Sequence, residues 1–391
     1  MRVLSIFGTR PEAIKMAPVV LRLSADPEIE SIVCTTGQHR QMLDQMLGAF
    51  GVTPDVDLGV MTQGQSLNAL TGQILTTLDG VLEQTKPDRV LVHGDTATAM
   101  AASLAAFHRR IPVGHVEAGL RTYDLQKPWP EEMNRRFVDI VSDLMFAPTE
   151  GSRENLAGER LGGRVFVTGN TVIDALHHAQ AILARNAAMR ARIDAALPRI
   201  DPAKRLVLVT GHRRESFGDG FRDICAALLR LAERSDVEII YPVHLNPNVR
   251  EPVMQALGGR DNIHLIAPQD YFPFVRLMQR ADVILTDSGG VQEEAPALGK
   301  PVLVMRDVTE RPEAVAAGAA ELVGTAPDSI VAAVTRVLDE EAVRLAFARG
   351  RSPYGDGRAA DRIASALLGV PFDEFDMASP SQTAVMERLS A

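Results

Sequence analysis

The feature that most constrains this chain is a rhythm of short, continuous apolar runs separated by longer stretches with helical spacing. VLSIF (3–7), SIVCTT (31–36), RVLVHG (89–94), VGHVE (113–117), LMFAPT (144–149) and RVFVTG (164–169) show no clean apolar–polar alternation. Alternation marks a strand with one wet face, so these runs predict strands covered on both faces. Between them PEAIKMAPVVLRLSA (11–25), SLNALTGQILTTLDGVLEQ (66–84) and TATAMAASLAAFHRR (96–110) carry apolar residues at helical intervals. Strand, helix, strand in this order predicts an α/β fold with a parallel, doubly wound sheet.

The pattern weakens between about Asn186 and Lys204, then restarts with RLVLVTG (205–211), VEIIYPV (237–243), NIHLIAP (262–268), DVILTD (282–287) and PVLVM (301–305). Two domains follow, as the 391 residues also suggest. The expected organisation is a first domain over 1–170, a connection over 171–204, a second domain over 205–356 and a tail over 369–391 with few regularly spaced apolar residues. Ligands of open α/β sheets bind at the carboxyl ends of the strands, so two such domains are expected to enclose a cleft there.

Composition narrows the classes further. A net charge of −9 argues against a chain that wraps nucleic acid, which needs clustered Lys and Arg. No apolar run approaches a membrane span, and MRVLSIF at the start reads as a buried strand rather than a leader. Cys34 and Cys225 stand far apart, which suits neither a disulfide framework nor a zinc knuckle, so a cytoplasmic location is expected. His115-x-Glu117 lacks the Pro-Cys-x-x-Cys that would complete a zinc deaminase site, and no metal is expected there.

Polar residues collect at the strand ends. The first strand runs into Gly8-Thr9-Arg10-Pro11-Glu12, with Lys15 one turn on; Pro11 presets a helix start, and free N–H groups there attract an anion. An ordinary strand-to-helix turn explains this segment equally well. DSGGVQEE (287–294) is sharper: Ser288, Gly289 and Gly290 let the backbone approach a ligand and aim the next helix at it, which suits a diphosphate. It is neither a Walker sequence nor the Gly-x-Gly-x-x-Gly fingerprint, and a glycine-rich turn shaped for helix–sheet packing is the competing account. Asp95 closes a strand where simple N-capping would account for it. Glu117 ends another, and Glu131 and Glu132 open a helix where the dipole favours acids whatever their function. Each acid has a bland account, but acids from neighbouring strand–helix segments converging on one end of a sheet are harder to explain as packing. His212, directly after a buried strand, is placed for proton transfer.

FGTRPEAIKMAP, VLVHGDT, VGHVEAGLRT, PWPEEMNR, VTGNTVIDAL, GHRRESFG, YPVHLNPNVR, LTDSGGVQEEAP, VMRDVTERPEAV and SPYGDGRA together resemble the non-hydrolysing UDP-N-acetylglucosamine 2-epimerases. The similarity runs from about residue 1 to about residue 368. It implies two Rossmann-like domains facing across a cleft as in GT-B glycosyltransferases, with a final helix, about 357–368, returning to the first domain. It also implies a homodimer, no cofactor, and interconversion of UDP-N-acetylglucosamine with UDP-N-acetylmannosamine through loss and return of UDP and the carbon 2 proton. By residue match, Asp95, Glu117 and Glu131 correspond to catalytic carboxylates and His212 to a histidine near the diphosphate. Arg10, Lys15, Ser288, Gly289 and Gly290 match diphosphate contacts, Gln269 and Phe274 uracil contacts, Glu294 a ribose contact and Arg311 a further nucleotide or sugar contact. For Phe274, core packing is the competing account. Gln38, His39 and Gln41 match a site where some relatives bind a second UDP-N-acetylglucosamine as activator, but Gly64 stands where those relatives carry an arginine. Which carboxylate acts as acid and which as base stays open.

Overall fold

A computed structural model describes residues 1–37, 40–60, 62, 64–349 and 352–377, with the side chains of 40–42, 44, 45 and 349 outside that set. The chain divides into two compact units, Met1–His178 with the segment from Tyr354 onward, and Ala179–Pro353.

In the first unit, strands β1 (Arg2–Phe7), β2 (Glu30–Thr35), β3 (Val56–Asp57), β4 (Arg89–His93), β5 (Val113–Val116), β6 (Leu144–Ala147) and β7 (Arg164–Val167) form one parallel sheet in the order β3-β2-β1-β4-β5-β6-β7. Helices α1 (Arg10–Ser24), α2 (Arg40–Phe50), α3 (Leu67–Thr85), α4 (Ala97–His108), α5 (Glu131–Val141), α6 (Glu150–Gly158) and α7 (Thr171–Arg185) connect and follow the strands. Leu4, Ile6, Val90 and Val92 of the central strands are fully buried against Ile74 and Leu78 of α3 and Ala99 and Ala102 of α4. These are the continuous apolar runs of the sequence, and burial on both sheet faces is their cause.

The second unit begins within α7 and continues through α8 (Ala187–Ala196), β8 (Arg205–Thr210), α9 (Asp219–Leu231), β9 (Val237–Pro242), α10 (Pro247–Leu257), β10 (Ile263–Ile266) and α11 (Tyr271–Arg280). It ends with β11 (Val283–Thr286), α12 (Gly289–Ala297), β12 (Val302–Val304), α13 (Pro312–Ala316), β13 (Ala320–Leu322), α14 (Pro327–Asp339) and α15 (Glu341–Arg349). Its parallel sheet has the order β10-β9-β8-β11-β12-β13. Each sheet thus reverses direction once, between β1 and β4 in the first and between β8 and β11 in the second. Such a reversal leaves a crevice at the strand ends, where ligands of doubly wound sheets bind.

The expected element pattern holds, with three differences. β3 and β13, of two and three residues, are too short to leave an apolar run. The stretch 171–204, expected as a connection, contains α7 and α8, and the boundary between units falls inside α7; α7 carries Ala175, Leu176 and Ala179 into the core on one helical face. The tail expected from 369 is docked as far as 377: the Phe375 N–H donates to Val167 O at 2.8 Å, and the Phe372 and Phe166 rings stand 5.5 Å apart. The last helix, α16 (Ala359–Leu368), packs on α1 in the first unit.

Candidate active site

The first unit's reversal point is built from the turns after β1 and β4. Gly8 is required by close approach, because a Cβ there would meet Thr36 Oγ1 at 2.0 Å. Thr9 caps α1 and accepts from the Glu12 N–H at 3.4 Å, while Glu12 reaches back to the N–H groups of Gly8 (3.0 Å) and Thr9 (2.7 Å) and to the Thr96 hydroxyl (2.7 Å). This reciprocal capping box differs from the expected anion site: the N–H groups of Gly8, Thr9 and Glu12 already have partners. Glu12 is buried, and burial raises its carboxyl above the usual range against the hydrogen bonds from Thr96, Gly8 and Thr9. Arg10 stands half-buried at the first helical position.

Glu117 follows β5 in the left-handed region, φ +67°, which costs a non-glycine residue about 1–2 kcal/mol and persists only where its surroundings hold it. Lys15 Nζ pairs with Glu117 Oε1, and Asn170 Nδ2 donates to the same oxygen at 2.9 Å. His93 Nε2 lies 3.5 Å from the other oxygen. Sequence reasoning missed His93, which sits in β4 as one more buried strand residue. Desolvation brings its ring down to about 3, against the pull of Glu117 and helped by Lys15, so it is neutral at physiological pH. Lys15, expected at a diphosphate, is therefore tied to a candidate acid–base group.

Asp95, in the turn after β4, pairs with Arg135 Nη2 of α5 at 2.5 Å. Burial raises its carboxyl, Arg135 opposes this, and the nearby Glu117 charge adds to it. The turn itself is clamped from below: His115 Nε2 contacts Gly94 O at 2.8 Å, and Asn134 Nδ2 donates to Asp95 O at 2.9 Å. His115 is fully buried with Nδ1 2.6 Å from Asp139, whose other oxygen pairs with Arg121 at 2.8 Å. It serves this framework and no metal. Glu131 opens α5 half-buried, with no side-chain hydrogen bond or ion pair among the described residues. Its neighbour Glu132 is fully buried and accepts from the Thr122 and Tyr123 N–H groups, both at 3.0 Å. The peptide bonds before Pro128 and Pro130, just ahead of this helix, are both cis.

In the second unit the reversal point joins Gly211-His212-Arg213 after β8 to Asp287-Ser288-Gly289 after β11. Asp287 is fully buried and accepts from the N–H groups of His212 and Arg213, both at 2.7 Å, while His212 Nδ1 lies 3.2 Å from its other oxygen. Burial pushes the Asp287 carboxyl up, but the His212 ring and the two N–H groups outweigh it and hold it below the usual range. The imidazole remains 40% exposed and stacks on His244, ring centroids 5.7 Å apart. Asp287 orients His212, a role that a strand-ending aspartate does not announce in a sequence.

Ser288 begins α12 without capping it by its side chain. A Cβ on Gly289 would lie 3.7 Å from Arg213 Nη2 and 4.0 Å from Arg311 Cζ, so two guanidinium groups flank the helix start. N-terminal N–H groups, glycine backbone and two arginines make an anion cradle. Arg311 is oriented by Glu293 at 2.5 Å, and Tyr271 donates to Glu294 at 2.8 Å. Gln269 is half-buried with its amide on Ala267 O at 2.8 Å, and Phe274 is half-buried on α11. Gln38 and His39 lie outside the described residues, as does the side chain of Gln41 in α2. Gly64 has φ +75°. Among the described residues no His, Cys, Asp or Glu cluster is placed to hold a metal ion, and no helix is long and apolar enough to cross a membrane.

Two parallel sheets, one with buried carboxylates at its strand ends and the other with a histidine beside a glycine-started helix, define the doubly wound α/β class, whose ligands bind at such strand ends. A family model for UDP-N-acetylglucosamine 2-epimerase matches residues 21–368. The UDP-N-acetylglucosamine 2-epimerase of Escherichia coli (strain K12) is 58% identical over 369 residues, covering 94% of this chain and 98% of that protein. A crystal structure of UDP-GlcNAc 2-epimerase from Neisseria meningitidis bound to UDP-GlcNAc is 50% identical, with a TM-score of 0.86 and coverage of 94% and 100%. The Methanocaldococcus jannaschii enzyme in complex with UDP-GlcNAc and UDP is 33% identical, with a TM-score of 0.77 and the same coverage. The chain belongs to the UDP-N-acetylglucosamine 2-epimerase family, and its structural neighbours are GT-B-like.

Proposed function

We propose that this enzyme interconverts UDP-N-acetylglucosamine and UDP-N-acetylmannosamine without net hydrolysis, by eliminating UDP to 2-acetamidoglucal and adding it back. The carbon 2 proton is not activated by a carbonyl on the ring, so direct removal would be slow. In the proposed path the carbon 1–oxygen bond breaks with its electron pair leaving on UDP, the carbon 2 proton passes to a carboxylate, and a carbon 1–carbon 2 double bond forms. Return of a proton to the opposite face of carbon 2 and of UDP to carbon 1 completes inversion. Positioned acid–base groups contribute about a hundredfold to ten-thousandfold each.

The single observation that carries this reading is the contrast between Asp95 and Glu117. They are near enough for the charge of one to raise the other, yet Asp95 is pushed toward its protonated form while Glu117 is ion-paired with Lys15. Environments that separate two carboxyl groups supply an acid and a base from one residue type. Glu131 joins them as the third candidate, and His212 with Ser288, Gly289, Gly290, Arg213 and Arg311 stabilises departed UDP. Gln269, Phe274 and Glu294 contact the nucleoside. In deuterated water, UDP-N-acetylglucosamine is expected to yield both UDP-sugars with deuterium at carbon 2. Release of UDP and free sugar alone would identify a hydrolase, and no turnover would identify a UDP-sugar sensor.

The enzyme acts in the cytoplasm as a homodimer. Exposed Met133 and Ile140 on α5, with Phe107 on the adjoining α4, support an apolar contact face. Activation by a second substrate molecule at Gln38, His39 and Gln41 is weak, because Gly64 supplies no side chain where the activated relatives carry an arginine.

A further inference from the structure

Two of the segments that carry the family resemblance, VTGNTVIDAL and SPYGDGRA, supply no residue to the chemistry above, and the fold packs one against the other. Asn170, 3% exposed, stands between β7 and α7. Its amide is engaged at both ends: Oδ1 accepts from the Val172 N–H at 3.0 Å, so Nδ2 is the end that meets Glu117 Oε1 at 2.9 Å. Chain geometry therefore settles the amide's orientation.

The returning segment grips this turn. The Asn170 N–H donates to Tyr354 O at 2.6 Å, and Arg362 Nη1 donates to Thr168 O at 3.0 Å while its guanidinium holds both oxygens of Asp356 at 2.7 Å. Asp174 in turn accepts from the Ala359 and Ala360 N–H groups at the start of α16, at 3.2 and 2.8 Å. Glycines allow the contact. A Cβ on Gly169 would lie 3.2 Å from Gly355 Cα, and one on Gly355, at φ +153°, would lie 3.4 Å from both N and O of Asn170.

We infer that Asn170 is the positioning residue of Glu117, and that the crossover segment Tyr354–Arg362 holds Asn170 in place to do so. Glu117 has an unfavourable backbone conformation, so its direction depends on what its carboxyl meets. Lys15 reaches it on a long flexible stem, whereas Asn170 offers one short donor anchored through its own backbone and its second amide end. The groups facing this carboxyl are Lys15 from α1, His93 from β4 and Asn170, with Asp95 close enough to be felt. The inference rests on the reading of Glu117 as an acid–base group.

Two substitutions separate positioning from helix capping. Asn170→Ser and Asn170→Asp both keep an acceptor for the Val172 N–H; serine removes the donor to Glu117, and aspartate sets a second carboxylate against it. In the full-length enzyme, kcat is expected to fall several-fold for Asn170→Ser and roughly ten- to a hundredfold for Asn170→Asp, with KM within about threefold of wild type. The Glu117 carboxyl carbon, followed by NMR in ligand-free protein, should titrate at higher pH in Asn170→Asp. Gly355→Ala, which does not touch Glu117, should lower kcat without a KM change while thermal melting shows a folded protein. Unchanged kcat and an unmoved Glu117 titration in both Asn170 variants, beside an active wild type, would overturn the inference. A shifted titration in a protein that does not epimerise would instead leave the positioning standing and remove the catalytic reading.

Discussion

The two reversal points share one topology and use their strand-end residues in opposite ways. In the first unit the polar groups are spent on each other: Glu12 on the turn after β1, Arg135 on Asp95, Lys15 and Asn170 on Glu117. In the second, α12 starts without a side-chain cap, and two arginines converge on a glycine. Proton-transfer groups need fixed direction and separated proton affinities, which internal partners provide. A leaving diphosphate needs donors gathered at one point, and a helix start flanked by two guanidinium groups gathers them.

This contrast predicts that the two units fail differently. Glu117→Gln or Asp95→Asn should lower kcat by about a hundredfold or more, with UDP still bound in calorimetry; near-normal turnover would break the assignment of the first unit. Arg213→Ala should weaken UDP binding by roughly ten- to a hundredfold, as loss of a charged hydrogen bond does, with the deficit shrinking in high salt. If that variant lost turnover at saturating substrate while binding UDP normally, the division of labour would be refuted.

A smaller effect contrasts two buried carboxylates that each accept two backbone N–H groups. Burial carries Asp174 up to about 7, whereas His212 keeps Asp287 below the usual range. The Asp287 contribution is present above the ordinary carboxylate range and is lost on acidification. For Asp174 the folded form prefers the proton, so stability declines as pH rises from about 4 to about 7. Melting Asp287→Asn and Asp174→Asn against wild type should show the first variant's deficit growing from pH 3 to 5, and the second's shrinking from pH 5 to 7. The slope for one proton is at most about 1.4 kcal/mol per pH unit. Parallel curves would remove the electrostatic distinction.

Much of this was legible in the residues. Two-sided burial dictates continuous apolar runs, so the central strands, both sheets and their winding could be read directly, as could the glycine-started helix at DSGG. Asp95, Glu117 and Glu131 stood out as acids at strand ends and a helix start. His93, Asn170 and Asp287 did not, since each looks like an ordinary strand or cap residue until a partner distant in sequence meets it. The partners at the turn of Arg10 and Lys15 were hidden for the same reason: its N–H groups meet Glu12, and its lysine meets Glu117, 102 residues beyond Lys15.

What the sequence by itself determined is periodic and local: which segments bury two faces, where helices start, and which turns have the glycine to admit a ligand. Only the tertiary structure decided which carboxyl is paired, which is desolvated and which backbone group anchors it. Those outcomes depend on distances between residues far apart in the chain, and a proton's affinity for a side chain is set by the charges and solvent within a few ångströms of it.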